Sequence, residues 1–210
     1  MKQERETERR GYHHGNLRQA LVEATLALIE EKGPTGFTLA EAARMAGVSP
    51  AAPYRHFKGR EDLIAEVALQ GFEMFADLLE HAHSTGGASP LSRFEATGRA
   101  YLAFARKQPG HYIAMFESGV PLAGSADLAR ESGRAIGVLT KTAEEILVNV
   151  PAESRPPAIL VANHIWALSH GVVELFSRGE SGSRAPFSPE DLLESGVGIY
   201  LRGLGLIPND

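Results

Sequence analysis

Apolar residues in this chain recur at spacings of three and four, with no sustained polar/apolar alternation, and that restricts the fold to packed helices. Leu17, Leu21, Ala24 and Leu28 set the pattern at spacings of four, three and four. No Asn-Gly or Asp-Gly pair joins two apolar runs, so nothing signals a hairpin. The expected fold class is all-α, with about nine helices and no internal repeat.

Start and stop signals divide the pattern. A first helix over residues 16–31 ends at Gly33-Pro34, a left-handed cap followed by a residue that cannot continue the helix. Thr38 and Glu41 form a capping box that opens a second, short helix, which ends at Ala46-Gly47. Ser49-Pro50 then supplies an N-cap oxygen and a preset φ for a third. Two short helices around a tight glycine turn read as a helix-turn-helix over residues 38–57. A longer helix fits 61–83, with Leu63, Val67, Met74 and Leu78 on one face. The loop over 84–89 divides a head, residues 1–83, from a body, residues 88–210.

In the body, Ser89-Pro90 caps a helix carrying Phe94, Tyr101 and Phe104, which Gln108-Pro109-Gly110 breaks. A short segment over 111–117 follows. Ser125 caps a long helix to about residue 148 with the stripe Leu128, Ser132, Ile136, Leu139, Ala143 and Ile146. Pro156-Pro157 introduces another to residue 177, a Gly/Ser-rich loop covers 178–187, and Ser188-Pro189-Glu190-Asp191 opens a last helix to residue 202.

Composition narrows the function. With no cysteine among 210 residues, disulfides, thiolate zinc sites and a thiol nucleophile are excluded. The first ten residues hold no apolar secretory stretch, and the longest apolar run, 158–168, is interrupted by Asn163 and His164. The expected setting is therefore cytoplasmic, without a membrane partner. The net charge of −5 argues against nucleic acid only as an average. Residues 1–60 hold ten Lys and Arg against seven Glu, a net +3, which leaves −8 on the remainder. A basic head on an acidic body suits a nucleic-acid partner for the head alone.

The run TLAEAARMAGVSPAAPYRHF over 38–57, followed by KGREDL, resembles the DNA-binding domain of the tetracycline-repressor (TetR) family of bacterial transcriptional regulators. Thr38, Ala46-Gly47-Val48-Ser49, Tyr54, Phe57, Arg60 and Leu63 carry the likeness, which extends upstream through YHHGNLRQALVEAT. Two positions depart from the pattern. Ala42 stands where a branched aliphatic is usual, and Pro53 where an apolar residue precedes the tyrosine. With Ser49 as N-cap, Pro53 occupies the position whose N–H makes the first intrahelical bond, so the reading helix is expected to start irregularly.

The resemblance implies a DNA-reading head and a C-terminal ligand-binding and dimerisation domain. Ala51 and Ala52 give the reading helix a slim face for a major groove about 12 Å wide. Ser49 and Thr38 can hold phosphate, and Tyr54, His56 and Lys58 are expected on the backbone. Arg55 fits either backbone or base edges. Phe57 is expected in the head's core. Arg9, Arg10, Tyr12, His13 and His14 resemble an arm before the first helix that adds phosphate or minor-groove contacts.

In the body, Trp166 followed by His170-Gly171 resembles the subgroup named for Trp-His-Gly. Phe94, Tyr101, Phe104, Tyr112, Met115, Phe116, Trp166 and His170 are the candidates for an apolar effector pocket. The glycines at 196, 198, 203 and 205 suit close helix approach, so helices 157–177 and 189–202 are expected to pair across a two-fold axis in a homodimer on a palindromic operator. The partners expected are double-stranded DNA, a second copy and a small-molecule effector. No cofactor or metal is expected: His81 and His83 lie two apart on a helix, and His170 with Glu174 lacks a third ligand. No nucleophile elbow or P-loop occurs, so the chain is not expected to be an enzyme. The alternatives are a regulator answering to a partner protein rather than a ligand, and, more remotely, a helical enzyme.

Overall fold

The computed structural model describes the backbone of residues 2–177 and 186–207, and the side chains of 17–176 and 186–207. Among the described residues there are eight α-helices and two 3-10 turns, and no strand. The helices are α1 Lys2–Lys32, α2 Leu39–Met45, α3 Arg60–Thr85, α4 Pro90–Lys107, α5 Pro109–Phe116, α6 Ala126–Leu147, α7 Ala158–Ser177 and α8 Pro189–Gly203. Apart from its last two positions, the expected loop over 178–187 lies outside the described residues.

Local chemistry explains most helix ends. Glu41 N–H donates to Thr38 Oγ1 at 3.2 Å and Thr38 N–H to Glu41 Oε2 at 2.9 Å, the reciprocal box that starts α2. Ser188 and Asp191 repeat it for α8. Ser89 and Ser125 accept from the N–H of Ser92 and Leu128 at the starts of α4 and α6. Gly33 ends α1 at φ +76°, and Gly47 ends α2 at φ +71°. Beyond α2, Val48 N–H reaches Ala43 O and Gly47 N–H reaches Arg44 O, the paired bonds of a Schellman ending.

Two expectations are corrected. The first helix does not begin near residue 16; it starts at Lys2, so the expected arm is helical backbone. The tract is rich in Lys, Glu, Arg and Gln and free of proline, and Gly11 and Gly15 each cost only about 1 kcal/mol in a helix interior. The third helix is not an α-helix. Pro53 has no N–H for the Ser49 carbonyl; Ala52 N–H takes it at 2.9 Å, and residues Pro53–Arg55 form a 3-10 turn.

The chain divides into two compact units, residues 1–72 with 108–129, and 73–107 with 130–210. In the first, Leu21, Val22, Leu28 and Ile29 of α1 are buried with Phe37, Leu39, Phe57, Leu63 and Val67. Arg18 lies over the Phe57 ring at 5.2 Å and donates to both Glu66 oxygens, clasping α1 to α3. Helix α5 approaches α1 closely: Gly110 N–H donates to Glu30 Oε1 at 3.1 Å, so a carboxylate from another helix caps its N-terminus. Its His111 is buried, and that burial pushes the imidazole pKa down.

The second unit is built around Phe94, Ala143, Ile146, Leu147, Val161, Ala162, Ile165 and Leu201. Phe75 stacks edge-on against Tyr101 and tilted against Phe104, with centroids 5.2 and 4.9 Å apart. Arg134 gathers Glu80, Asp77 and the buried Glu131, and the Glu80 hydrogen bond leads the effects that raise its pKa. Glu145 accepts from Arg93 at 2.8 Å and faces His83 Nε2 at 3.1 Å. Burial pushes the Glu145 carboxyl up, but Arg93 and His83 together outweigh it and lower its pKa. Residues Ala158–Phe176 of α7, mean hydropathy 1.3, are long and apolar enough to cross a membrane, because Asn163 and His164 interrupt the run without lowering its average much. Val161, Ala162, Ile165, Val172 and Val173 on that helix are buried in the unit.

Gly110 lies where a Cβ would stand 2.8 Å from Glu30 Oε1 and 3.0 Å from Leu26 Cδ2. Gly110→Ala is expected to lower stability by about 1–3 kcal/mol, read as a reduced urea midpoint with an unchanged slope.

Candidate nucleic-acid interface and effector cleft

The segment from Ser49 to Lys58 turns its polar side chains outward, His56 excepted, because Pro53 and Phe57 are its buried anchors. Tyr54 is 65% exposed, and Ser49, Ala51, Arg55 and Lys58 are exposed around it. Ala52 is half-buried. The surrounding cations fall into two groups. Arg18 pairs with Glu66, Lys32 with Glu41, and Arg60 donates to Thr35 O at 3.0 Å. Arg44, Arg55 and Lys58 make no ion pair among the described residues. The uncommitted positive charge therefore sits at the turn, while the committed charge holds helices together.

Two expected contacts are placed differently from the rest. Thr38 Oγ1 serves the capping box, accepting from Glu41 N–H and donating to Glu41 Oε2 at 3.0 Å. The Lys32 hydrogen bond, with those from Thr38, pulls the Glu41 carboxyl down to about 2. His56 Nε2 is closed off from solvent with no hydrogen-bond partner among the described residues. Arg9, Arg10, Tyr12, His13 and His14 lie on the α1 backbone, and their side chains lie outside the described residues. Sequence reasoning misses Arg44. Its exposure at the end of α2, beside the turn, is the signal that adds it.

The body's cleft lies among α4, α6 and α7. Its aromatic wall is Phe94, Tyr101 and Trp166, and Leu139, Ala162 and Ile165 form the aliphatic one. Thr97, Thr142 and Ser169 add hydroxyls, and Gly98 leaves a gap in α4. The void is about 20 Å³, room for about one water. Trp166 Nε1–H donates to Tyr101 Oη at 2.9 Å, and Tyr101 Oη meets His170 Nδ1 at 2.8 Å. Burial leads the effects on His170 and lowers its pKa, against an opposing pull from Glu174.

Four of the eight sequence candidates thus gather here: Phe94, Tyr101 and Trp166 as lining, His170 through Tyr101. Phe104 packs on Phe75 instead. Tyr112, Met115 and Phe116 belong to the first unit, where Phe116 meets Phe72 at 5.6 Å and Met115 packs on Gly71. The three hydroxyls are absent from the sequence candidates. Spacing is the signal that finds two of them, since Thr97 and Ser169 stand four and three residues from Tyr101 and Trp166 on the same helix faces. Among the described residues, no group of three His, Asp or Glu could hold a metal ion.

Comparison with known proteins bears on both regions. Residues 21–67 match the family described as bacterial regulatory proteins, tetR family, and residues 94–200 match tetracyclin repressor-like, C-terminal domain. The chain is 25% identical over 194 residues to the HTH-type transcriptional regulator YobS of Bacillus subtilis, covering 90% of this chain and 93% of that one. It is 45% identical over 47 residues to the HTH-type transcriptional regulator BetI of Rhizobium meliloti, 22% of this chain and 23% of the relative. A Rhodococcus sp. RHA1 protein of unknown function superposes with a TM-score of 0.74 at 26% identity, covering 91% and 97% of the two chains. AibR, solved with isovaleryl coenzyme A and operator DNA, superposes at 0.64 and 17% identity over 87% and 96%, a likeness of fold.

His111 and His170, both held below the ordinary histidine pKa, have a consequence for stability. A histidine whose folded pKa is depressed binds fewer protons folded than unfolded, so its contribution is complete above the unfolded value of about 6.5 and is lost as pH falls toward the folded one. Urea midpoints are expected to fall between about pH 7 and pH 5, above the range where carboxylates titrate. His111→Gln with His170→Gln should flatten that fall.

Proposed function

The chain belongs to the tetracycline-repressor family of helix-turn-helix bacterial transcriptional regulators, and on that premise we propose that it is a dimeric, ligand-responsive repressor of a palindromic operator. The observation that carries the DNA half is the turn itself. Tyr54, Arg55 and Lys58 stand exposed beside uncommitted Arg44, and buried Pro53 and Phe57 anchor the segment that presents them. The DNA-binding domain is assigned to residues 1–83 and the effector and dimer domain to 88–210. Ser49, Ala51 and Ala52 face the groove, and Thr38 acts by fixing the start of α2. Arg9, Arg10, Tyr12, His13 and His14 are assigned to phosphate or minor-groove contact along the start of α1. The Trp166, His170 and Gly171 spacing favours the Trp-His-Gly subgroup for the body.

An exposed apolar stripe supports dimerisation. Leu160, Leu168 and Leu175 of α7 are 45%, 37% and 60% exposed, and Ile199 of α8 is 66% exposed. Gly171, Gly196 and Gly203 lie in the same two helices, and no neighbouring atom comes within 4 Å of where a Cβ would stand on any of them, so a partner helix can approach closely there. Four helices, two from each copy, bury this surface about a two-fold axis. A small, mainly apolar effector in the α4, α6 and α7 cleft favours a body conformation whose heads no longer match the operator, and affinity falls by linkage. The setting is cytoplasmic, and no enzymatic step is involved.

In a mobility-shift titration on the inverted repeat nearest the regulated promoter, Tyr54→Ala and Lys58→Ala should weaken binding to all sequences, and Lys58→Ala should lower the salt slope by about one. Unchanged affinity across salt would remove these residues from the interface. By light scattering the wild type is expected to be a dimer at micromolar concentration, and Leu175→Asp with Ile199→Asp a monomer. A monomeric wild type would defeat the two-fold account.

A further inference from the structure

The inventory of donors and acceptors in the α4, α6 and α7 cleft limits what can bind there. Three hydroxyls line it, and each donates its proton to its own helix four residues back. Thr97 Oγ1 donates to Arg93 O at 2.8 Å, Thr142 Oγ1 to Val138 O at 2.7 Å, and Ser169 Oγ to Ile165 O at 3.0 Å. All three residues are at least 98% buried. The Trp166 indole has a single N–H, and it goes to Tyr101. Burial lowers the His170 pKa, so at neutral pH the ring carries one acceptor nitrogen and one N–H, and His170 itself is not among the residues lining the cleft. Assigning the acceptor role to Nδ1 lets Tyr101 Oη accept once, from Trp166, and donate once, to His170. No charged side chain lines the cleft among the described residues.

We infer that the cleft is built for an uncharged, ring-sized effector that brings its own hydrogen-bond donors, a phenol or a neutral aromatic amine. The inference rests on the reading of this cleft as the effector site. The hydroxyl lone pairs accept from such a ligand while their protons stay on the helix carbonyls. A carboxylate or phosphate finds acceptors where it needs donors and no cation to offset its desolvation. The aromatic and aliphatic walls take the ring. Because the void holds about one water, a ring enters only by moving α4, α6 and α7 apart, which gives binding a preference for one conformation.

The test uses the full chain and four benzene derivatives of similar size at neutral pH: phenol, aniline, anisole and benzoate, with affinity read by calorimetry and by thermal shift. Phenol and aniline are expected to bind, anisole about tenfold more weakly, and benzoate more weakly still. Thr97→Val with Thr142→Val and Ser169→Ala should bring phenol down to anisole. Benzoate or anisole equal to phenol, or no binding by any of the four, overturns the inference, and the wild-type ranking decides this even where the triple variant does not fold. Gly98→Leu separates the two readings. Gly98 lines the cleft, and a Cβ there would meet only Leu193 Cδ2, at 3.7 Å, so there is room for a longer side chain at the cleft wall. Binding lost in Gly98→Leu, with operator affinity retained, upholds the cleft as the site whichever class binds. Binding that persists there overturns the cleft as the site, and the inference with it.

Discussion

A helix begins with backbone N–H groups that have no partner in the helix, and in a chain made of helices the supply of partners decides where each can start. Here the supply is mostly local: Thr38 with Glu41, Ser89, Ser125, and Ser188 with Asp191. Once it is remote. Helix α5 follows α4 after one residue, Gln108 offers no side-chain cap, and the partner is Glu30, eighty residues earlier. That bond joins α5 to α1 within one unit.

The dependence on helix ends explains what can be read from the amino-acid order. The bounds of α2, α4, α6 and α8 follow from Ser, Thr, Pro and Gly at fixed offsets, which act within one turn and need no tertiary knowledge. The assignment of Tyr112, Met115 and Phe116 does not. They lie close in sequence to Tyr101 and Phe104, so one pocket is the natural reading, yet they belong to the other unit, where Phe116 meets Phe72 and Met115 packs on Gly71. Pro53 is legible as a disturbance. Its result, a 3-10 turn, depends on which N–H takes the Ser49 carbonyl instead. Thr142 is illegible for a third reason: with no aromatic candidate on its own helix to mark the face, a threonine reads the same whether it faces solvent or a cleft.

Charge is divided by task in the same way. Arg18, Lys32, Arg93 and Arg134 each meet carboxylates within their own unit. Their positive charge is largely neutralised nearby and contributes little at a distance. Arg44, Arg55 and Lys58 lack such partners among the described residues. A count of basic residues over the head therefore understates how concentrated its usable charge is.

With the cleft as the proposed effector site, the narrow void between α4, α6 and α7 would make its sensitivity a property of the bundle as a whole. When a site must open before it can be filled, the apparent dissociation constant is the intrinsic one divided by the fraction of molecules already open. If one molecule in a hundred is open, the effector concentration needed rises about a hundredfold with no change in any contact. That fraction is governed by how tightly helices close over buried residues behind the wall such as Ala143 and Val161, both 0% exposed. Relatives could therefore share every residue of the cleft wall and still respond at very different effector concentrations, the threshold being written in the packing behind it.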